Sequence, residues 1–285
     1  MVKSGTSYAL YQFAQILRTN PRFERLKFHR SLSPYSTKDA SYNLVNEAFE
    51  NNVIVGPFLY CNYGFTVQII RSDTNPLRIL KKLEDNHDKS VTHAIALSGD
   101  DKLMLIKKGG NQLTYADAPE PSFVPEMNLN EFTFSKIGKL KRDPFPENWN
   151  LMDWKTFHAM RNPRRSFVEI GRKIGATWAT ARRHYLRILE DCKSVTAFYP
   201  KGYGGYNRVF ITFNTKYELG VKESLEKLDR SSYLWKFDDT LILILFVDDY
   251  NGTCERFNVL EEIGMIHDLR VSIPIRYYMP PTILE

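Results

Sequence analysis

The sequence predicts an α+β fold in which one arrangement of helices and strands is used twice. Two observations support this prediction. Similar segments recur at a nearly constant offset, and the second half of the chain alternates strands and helices in a complete, recognisable order. A chain of 285 residues, 43% of them hydrophobic, can bury more than one core.

The internal repeat is visible in four landmarks. The strand pattern "SGDDKLMLI" from Ser98 resembles "FDDTLILIL" from Phe237, at an offset of 139 residues (237 − 98). A strand pattern and then a helix with apolar residues three or four apart precede each of them, the helices at 75–86 and 219–230. Downstream, 130–144 aligns with 267–281 at an offset of 137 (267 − 130), which predicts a strand in both halves. Such a shared period indicates a duplicated unit.

The second half contains the complete unit. Its pattern predicts strands at 208–215, 232–237, 240–247 and 267–276, with helices at 219–230 and 252–263. This βαββαβ order is that of a ferredoxin-like module. In the first half the second helix is replaced by "GGNQLTYADAPEPSFVPEMNLN", where glycines and prolines lie too close together for a helix. The first module is therefore predicted to be degenerate.

Three helical segments precede each module. They lie at 8–19, 23–32 and 37–52 in the first half and at 151–160, 166–174 and 177–192 in the second. Three helices followed by a short strand are typical of a winged helix-turn-helix. The predicted domains are two such helical units at 1–62 and 146–204, and two sheet modules at 63–145 and 205–285.

The second helical unit carries a basic surface. Gly171 and Gly175 suit the close approach and the turn of a helix-turn-helix, and Thr177 suits the N-cap of the third helix. Between 161 and 183 there are seven Lys or Arg residues and a single acid, Glu169. The chain as a whole has a net charge of +6. Because arginine binds phosphate and guanine bidentately, we predict contacts with double-stranded DNA by Arg164, Arg165, Arg172, Thr177, Trp178, Ala179, Thr180, Arg182, Arg183 and Arg187.

These residues resemble the Lrp/AsnC family of transcription regulators. The similarity to the family's helix-turn-helix pattern rests on Glu169, Ile170, Gly171, Ile174, Gly175, Thr177, Thr180, Ala181, Arg187 and Glu190, while Cys192 stands where the family has glycine. The resemblance implies a sequence-specific DNA-binding regulator whose two copies form a pseudo-dimer within one chain, with further homo-oligomers possible. It also implies an effector such as an amino acid near the turn Gly99, Asp100 and Asp101.

Two other functions remain open at this point. Siroheme decarboxylases share the same architecture and bind a tetrapyrrole between the modules, which would make the chain an enzyme. A scaffolding protein that has lost both activities is the third. Under the main interpretation, the protein is not an enzyme. Among its histidines, His184 is of most interest because it lies on the third helix.

The sequence predicts neither a bound cofactor nor a membrane-spanning segment. The three cysteines are far apart in sequence and the six histidines are dispersed, so neither a metal site nor a disulfide framework is expected. The longest apolar run, "TLILILFV", is too short to span a bilayer. The N-terminus lacks the pattern of a secretory signal. We therefore expect a cytoplasmic protein.

Overall fold

In a computed structural model, which describes residues 4–71, 75–86, 88 and 90–279, the chain folds into two helical units and one large sheet. The predicted α+β fold class is confirmed. The first winged helix-turn-helix unit comprises α1 (Ser4–Thr19), α2 (Arg25–Ser31), α3 (Lys38–Glu50) and β1 (Ile54–Tyr60). Its core is formed by Phe13 and Leu17 of α1, Phe28 of α2 and Val45 of α3, each with 0% exposure.

The first sheet module follows directly. It comprises β2 (Phe65–Ile70), α4 (Pro76–Asn86), β3 (Val91–Gly99), β4 (Leu103–Lys108) and β5 (Leu113–Asp117). The second helix is absent from its expected place, as predicted. The segment at 130–144, in contrast, is not a strand. β5 is the strand that the sequence did not reveal, because it lies within the Gly- and Pro-rich stretch.

The second winged helix-turn-helix unit comprises α5 (Leu151–Ala159), α6 (Phe167–Ile174), α7 (Trp178–Ile188) and β6 (Lys193–Phe198). Gly175 ends α6 in the left-handed region with φ of 71°. A Cβ on Gly171 would lie 2.8 Å from the carbonyl oxygen of Ala176. Both glycines therefore have the roles predicted for them, one in the turn and one at the close approach of the helices.

The second sheet module is complete. It comprises β7 (Asn207–Asn214), α8 (Glu218–Glu226), β8 (Tyr233–Phe237), β9 (Thr240–Val247), α9 (Tyr250–Glu262) and β10 (His267–Tyr278). Its strands lie in the order β10-β7-β9-β8, which is the ferredoxin-like arrangement predicted from the sequence.

The two halves of the chain are joined by three strand pairs. β1 pairs antiparallel with β6 to form a two-stranded sheet. β3 pairs with β10 and β5 pairs with β8, so that one eight-stranded sheet runs β2-β4-β3-β10-β7-β9-β8-β5. The backbone N–H of Gln112, just before β5, donates to the carbonyl of Phe65 in β2 (3.0 Å), which brings the two ends of this sheet together.

The curled sheet encloses one core and carries others on its outside. Ile95, Met104, Phe210 and Ile244 from four different strands meet in the core between the two modules. The outer face of the second module is covered by α8, α9 and the connector, the irregular segment 118–150, which contributes Phe132 and Phe134. None of the described helices is long and apolar enough to cross a membrane.

Candidate functional site

The outward face of α7 is arranged as the sequence predicts. Thr177 caps the helix by accepting a hydrogen bond from the backbone N–H of Thr180 (3.1 Å). Trp178 is 57% exposed. Exposed positions on α7 and its neighbour α6 also include Ala179, Arg182, Arg183 and Arg172, while Thr180 is half-buried.

Two of the predicted DNA contacts are instead engaged within the chain. Arg187 forms an ion pair with the buried carboxylate of Asp153 (3.3 Å) and donates to the carbonyl of Asn148 (2.5 Å). The guanidinium of Arg164 lies 5.3 Å from the ring centroid of Phe49 in the first helical unit. Arg165, half-buried, accepts at its carbonyl from Arg22 (2.8 Å). The contacts of Arg164 and Arg165 join the two helical units, whereas those of Arg187 lie within the second unit.

The predicted effector turn is packed against β10. The backbone N–H of Asp101 donates to the hydroxyl of Ser272 (2.9 Å), and Asp100 accepts from the N–H of Val271 (2.9 Å). A Cβ on Gly99 would lie 2.5 Å from the carbonyl oxygen of Val271. The side of Gly99 that faces β10 therefore has no room for a ligand, and the effector site there stays a prediction without support from the geometry.

A different group of polar and aromatic side chains meets inside the curled sheet, and the sequence did not single it out. We call it the inter-sheet cluster, and it consists of His93, Tyr199, Tyr203, Arg208, Tyr233, Trp235 and Tyr277. His93 comes from the first module, and the others come from the second half. All but Tyr199 are only half-buried although they face the interior. Solvent therefore reaches this space between the sheets.

Several side chains of the inter-sheet cluster lie next to one another. The His93 ring centroid is 6.0 Å from Trp235 in an edge-on arrangement and 6.2 Å from Tyr277. The guanidinium of Arg208 lies over the Tyr277 ring at 5.5 Å and over the Tyr203 ring at 5.3 Å. Tyr277 is thus flanked by an imidazole and a guanidinium.

Burial and neighbouring groups shift the pKa values in the cluster and thereby determine which side chains are charged. Burial lowers the pKa of His93 to about 4, so the imidazole is neutral at pH 7. Burial alone would lower the pKa of Arg208, but the neighbouring hydroxyls of Tyr203 and Tyr277 outweigh it and raise this pKa. Burial raises the pKa of Tyr277, whose buried hydroxyl lies next to the guanidinium of Arg208 and the hydroxyl of Tyr203. One fixed cation, one neutral imidazole and the protonated hydroxyl of Tyr277 thus share this space.

The pKa of His93 has a consequence for stability. The folded-state value near 4 lies below the ordinary value near 6.5, so between these values the unfolded chain binds more protons. We expect the free energy of unfolding to fall as the pH falls through this window, by up to about 1.4 kcal/mol per pH unit. Urea unfolding of His93→Gln should show a flatter pH dependence than the unsubstituted protein. His267→Gln, which removes an exposed histidine, should not. Equal slopes for both variants would contradict a buried, neutral His93.

His184, the histidine of most interest in the sequence, contacts a carboxylate within the second helical unit. Nδ1 of His184 lies 2.6 Å from Oδ1 of Asp153, and the ring is buried between α5 and α7.

A further pair that the sequence did not predict is Cys61 and Cys192, which share one apolar cluster although they come from different halves. The neighbouring Cys61 thiol, together with burial, raises the pKa of Cys192.

The comparisons with known proteins give two solved structures. No protein-family model matches the chain, and neither does any curated protein. The chain is similar to the crystal structure of the siroheme decarboxylase NirDL, at 8% identity and a TM-score of 0.47, over 85% of this chain and 82% of that one. The same enzyme in complex with an iron-uroporphyrin III analogue matches at 9% identity and a TM-score of 0.45, with the same coverage.

These findings correct the main functional interpretation of the sequence. Both structures are of a siroheme decarboxylase, and neither is of a transcription regulator. The prediction of a sequence-specific DNA-binding regulator is therefore wrong. Exposed arginines on α7 are equally typical of a solvated helix, and two of the predicted contacts, Arg164 and Arg187, are held within the chain.

Proposed function

We propose that the protein is an enzyme that binds a tetrapyrrole bearing carboxylates at the inter-sheet cluster and decarboxylates it. The observation that supports this proposal best is the placement of neutral His93 and cationic Arg208 on either side of Tyr277. Ligand sites are commonly apolar and aromatic spaces with a few convergent polar groups. The inter-sheet cluster has this character, and solvent reaches it.

The residues of the cluster match the chemistry of such a ligand. The faces and edges of Trp235, Tyr233 and Tyr203 suit a planar macrocycle. A guanidinium binds carboxylates with charge-assisted hydrogen bonds, and Arg208 has no carboxylate partner among the described residues. An unprotonated imidazole nitrogen is a common ligand of iron. His93 would therefore hold an iron tetrapyrrole, and Arg208 would bind one of its carboxylates.

Decarboxylation makes two demands that this chain can meet. When the bond between the carboxylate and its carbon breaks, carbon dioxide leaves and the electron pair stays on carbon, where the conjugated macrocycle can delocalise it. A proton must then reach that carbon. The hydroxyls of Tyr277 and Tyr199 are protonated at neutral pH, and burial raises their pKa values further above the ordinary value. We assign the proton to Tyr277, the one of the two beside Arg208, and a proton from solvent restores its hydroxyl after the product has left.

The proposal is tested by titration with iron uroporphyrin III, followed by absorbance in the visible region. We expect saturable binding to the full chain with a shifted main band. Arg208→Gln should weaken binding roughly ten- to a hundredfold, the usual range for a lost charged hydrogen bond. His93→Gln should change the band position, because it removes the proposed iron ligand. Arg182→Gln removes an equal charge from the exposed face of α7 and serves as the matched control.

A second measurement addresses the reaction. Incubation of the protein with siroheme without oxygen should give products lighter by one or more carbon dioxide units in mass spectrometry. Tyr277→Phe should slow product formation and leave the affinity for iron uroporphyrin III nearly unchanged. Absence of binding, or binding that neither Arg208→Gln nor His93→Gln alters, would rule out the inter-sheet cluster as the site.

A further inference from the structure

A second pocket lies outside the sheet, where the two helical units meet. Its volume is about 380 Å³, which is within the range of small-molecule sites. The lining comes from both units, and it consists of Arg22, Phe23, Glu24, Arg25, Leu26, Tyr42 and Arg164. We call it the junction pocket. The predicted functions of the chain make no use of it.

Three guanidinium groups line the junction pocket, and two of them are held firmly in place. The guanidinium of Arg22 stacks 4.1 Å from the ring centroid of Phe167, and its Nη1 donates to the carbonyls of Pro163 and Arg165. Arg164 lies against the rings of Phe49 and Phe13. Arg25 lies at the start of α2 and is half-buried.

These positive charges are not neutralised by the chain. No ion pair within the described residues joins Arg22, Arg25 or Arg164 to a carboxylate, although Glu24 lies at the exposed rim. The Nη1 atom of Arg164 is buried and has no hydrogen-bond partner among them. Burial lowers the pKa of Arg164, and the charges of Arg25 and Arg22 lower it further. A buried donor without a partner is costly, and clustered cations repel one another. An anion in the pocket would offset the repulsion among the three arginines.

We propose that the junction pocket binds a small molecule through a phosphate group and that this ligand bridges the two helical units. Phosphate accepts several bonds from the fork-shaped donors of arginine, and arginine is preferred for this purpose. Phe23 and Tyr42 add aromatic surface beside the charges. Arg164 belongs to the second helical unit, and Arg22, Arg25 and Tyr42 belong to the first, so one ligand contacts both.

The geometry favours a small molecule over a nucleic-acid backbone. Arg164 is half-buried against Phe49, and its unpartnered Nη1 atom is buried. A duplex presents its phosphates on a convex surface and is bound by exposed cations. A compact phosphate compound can enter the pocket and contact the arginines that line it.

The test uses inorganic pyrophosphate as the probe and the full chain as the receptor. Isothermal titration calorimetry at fixed ionic strength should show saturable binding with one site per chain. Thermal unfolding should shift upward with pyrophosphate concentration, since a ligand of the native state stabilises it. Arg25→Gln should raise the dissociation constant roughly tenfold, the size of effect expected for a lost charged hydrogen bond. Because Arg25 has no packing role against aromatic rings, this variant is expected to fold normally.

The controls separate this pocket from general charge effects and from the inter-sheet cluster. Arg182→Gln removes one exposed positive charge elsewhere and should leave pyrophosphate affinity unchanged, as should Arg208→Gln. Citrate, which carries carboxylates instead of phosphate, should bind more weakly than pyrophosphate. The proposal is overturned if pyrophosphate does not saturate or if Arg25→Gln and Arg182→Gln weaken it equally. It is likewise overturned if citrate binds as tightly, or if a DNA duplex binds more tightly and loses that affinity in Arg25→Gln.

Discussion

Replacing Glu218 by glutamine is expected to lower the free energy of unfolding by about 3 to 5 kcal/mol, the range for breaking a buried ion pair. The carboxylate of Glu218 lies 2.7 Å and 2.9 Å from Nζ of Lys236, and both side chains are buried, with 2% and 8% exposure. It also accepts from the backbone N–H of Leu140 (2.7 Å). The substitution leaves the ammonium of Lys236 buried without a counter-charge, which explains the size of the expected effect.

The same helix offers the control for this prediction. Lys222 and Glu226 form an i,i+4 ion pair on α8 at 2.9 Å, but both are about one-third exposed. Glu226→Gln should therefore cost no more than about 1 kcal/mol. Urea unfolding at neutral pH measures both variants. A second substitution, Lys236→Met in the Glu218→Gln background, should recover part of the loss because no buried charge remains. Equal costs for Glu218→Gln and Glu226→Gln would contradict the buried pair.

The buried pair also explains how an irregular segment is held on the second module. The connector has no repeating backbone hydrogen bonds along 132–146. It is anchored by Leu140 at Glu218 and by the stacking of Phe132 on Phe257 of α9 at 5.4 Å. Its alternating apolar residues imitate a strand in the sequence. They pack against helices instead of pairing with a sheet edge, so the strand predicted at 130–144 does not form.

The elements that the sequence predicted well are those whose local pattern and packing agree. The second module shows this most clearly, since α9 and β7 to β10 were each predicted to within a few residues. Amphipathic spacing identifies the helices, and long apolar runs identify strands that are buried on both faces. β5 lacks such a pattern. Its five residues (Leu113–Asp117) form a strand because they pair with β8 from the other half of the chain, and no local signal reports a partner more than a hundred residues away.

The inter-sheet cluster was missed for a related reason. His93 is a single histidine in a largely apolar strand, and Arg208 is a single arginine at the start of another. Each alone is compatible with a satisfied core residue or a strand end. They come together only because β3 pairs with β10 and thereby brings His93 beside Tyr277. Polar residues in strands that are otherwise apolar on both faces are the signal that could have drawn attention to them.

For α7 the sequence predicted correctly which side chains are exposed, but it did not predict their function correctly. Trp178, Arg182 and Arg183 are exposed as expected. Exposure and positive charge are shared by DNA-reading helices and by ordinary solvated helices, so composition cannot separate the two. Arg187 shows the limit of the pattern, because its helical position is exposed while its guanidinium reaches back to Asp153. That carboxylate organises the second helical unit.

Asp153 contacts three groups from a fully buried position, with 0% exposure. It accepts from the backbone N–H of Asn150 (2.9 Å) as half of a capping box at the start of α5. Its other contacts are His184 at 2.6 Å and Arg187 at 3.3 Å, both on α7. One carboxylate therefore holds the first turn of α5 and fixes the angle between α5 and α7.

Asp153→Ala is accordingly expected to destabilise the protein by about 3 to 5 kcal/mol, since it breaks a buried ion pair and half of a helix cap. Asp153→Asn keeps an oxygen for the Asn150 N–H but loses the charge that faces Arg187, so its cost should fall between that of alanine and zero. Glu169→Ala removes an exposed carboxylate from the first turn of the neighbouring helix α6, and we expect a change within about 0.5 kcal/mol. Urea unfolding of the three variants gives the comparison. If Asp153→Ala is no more costly than Glu169→Ala, the carboxylate does not hold α5 and α7 together, and Arg187 would then be free to act at the surface.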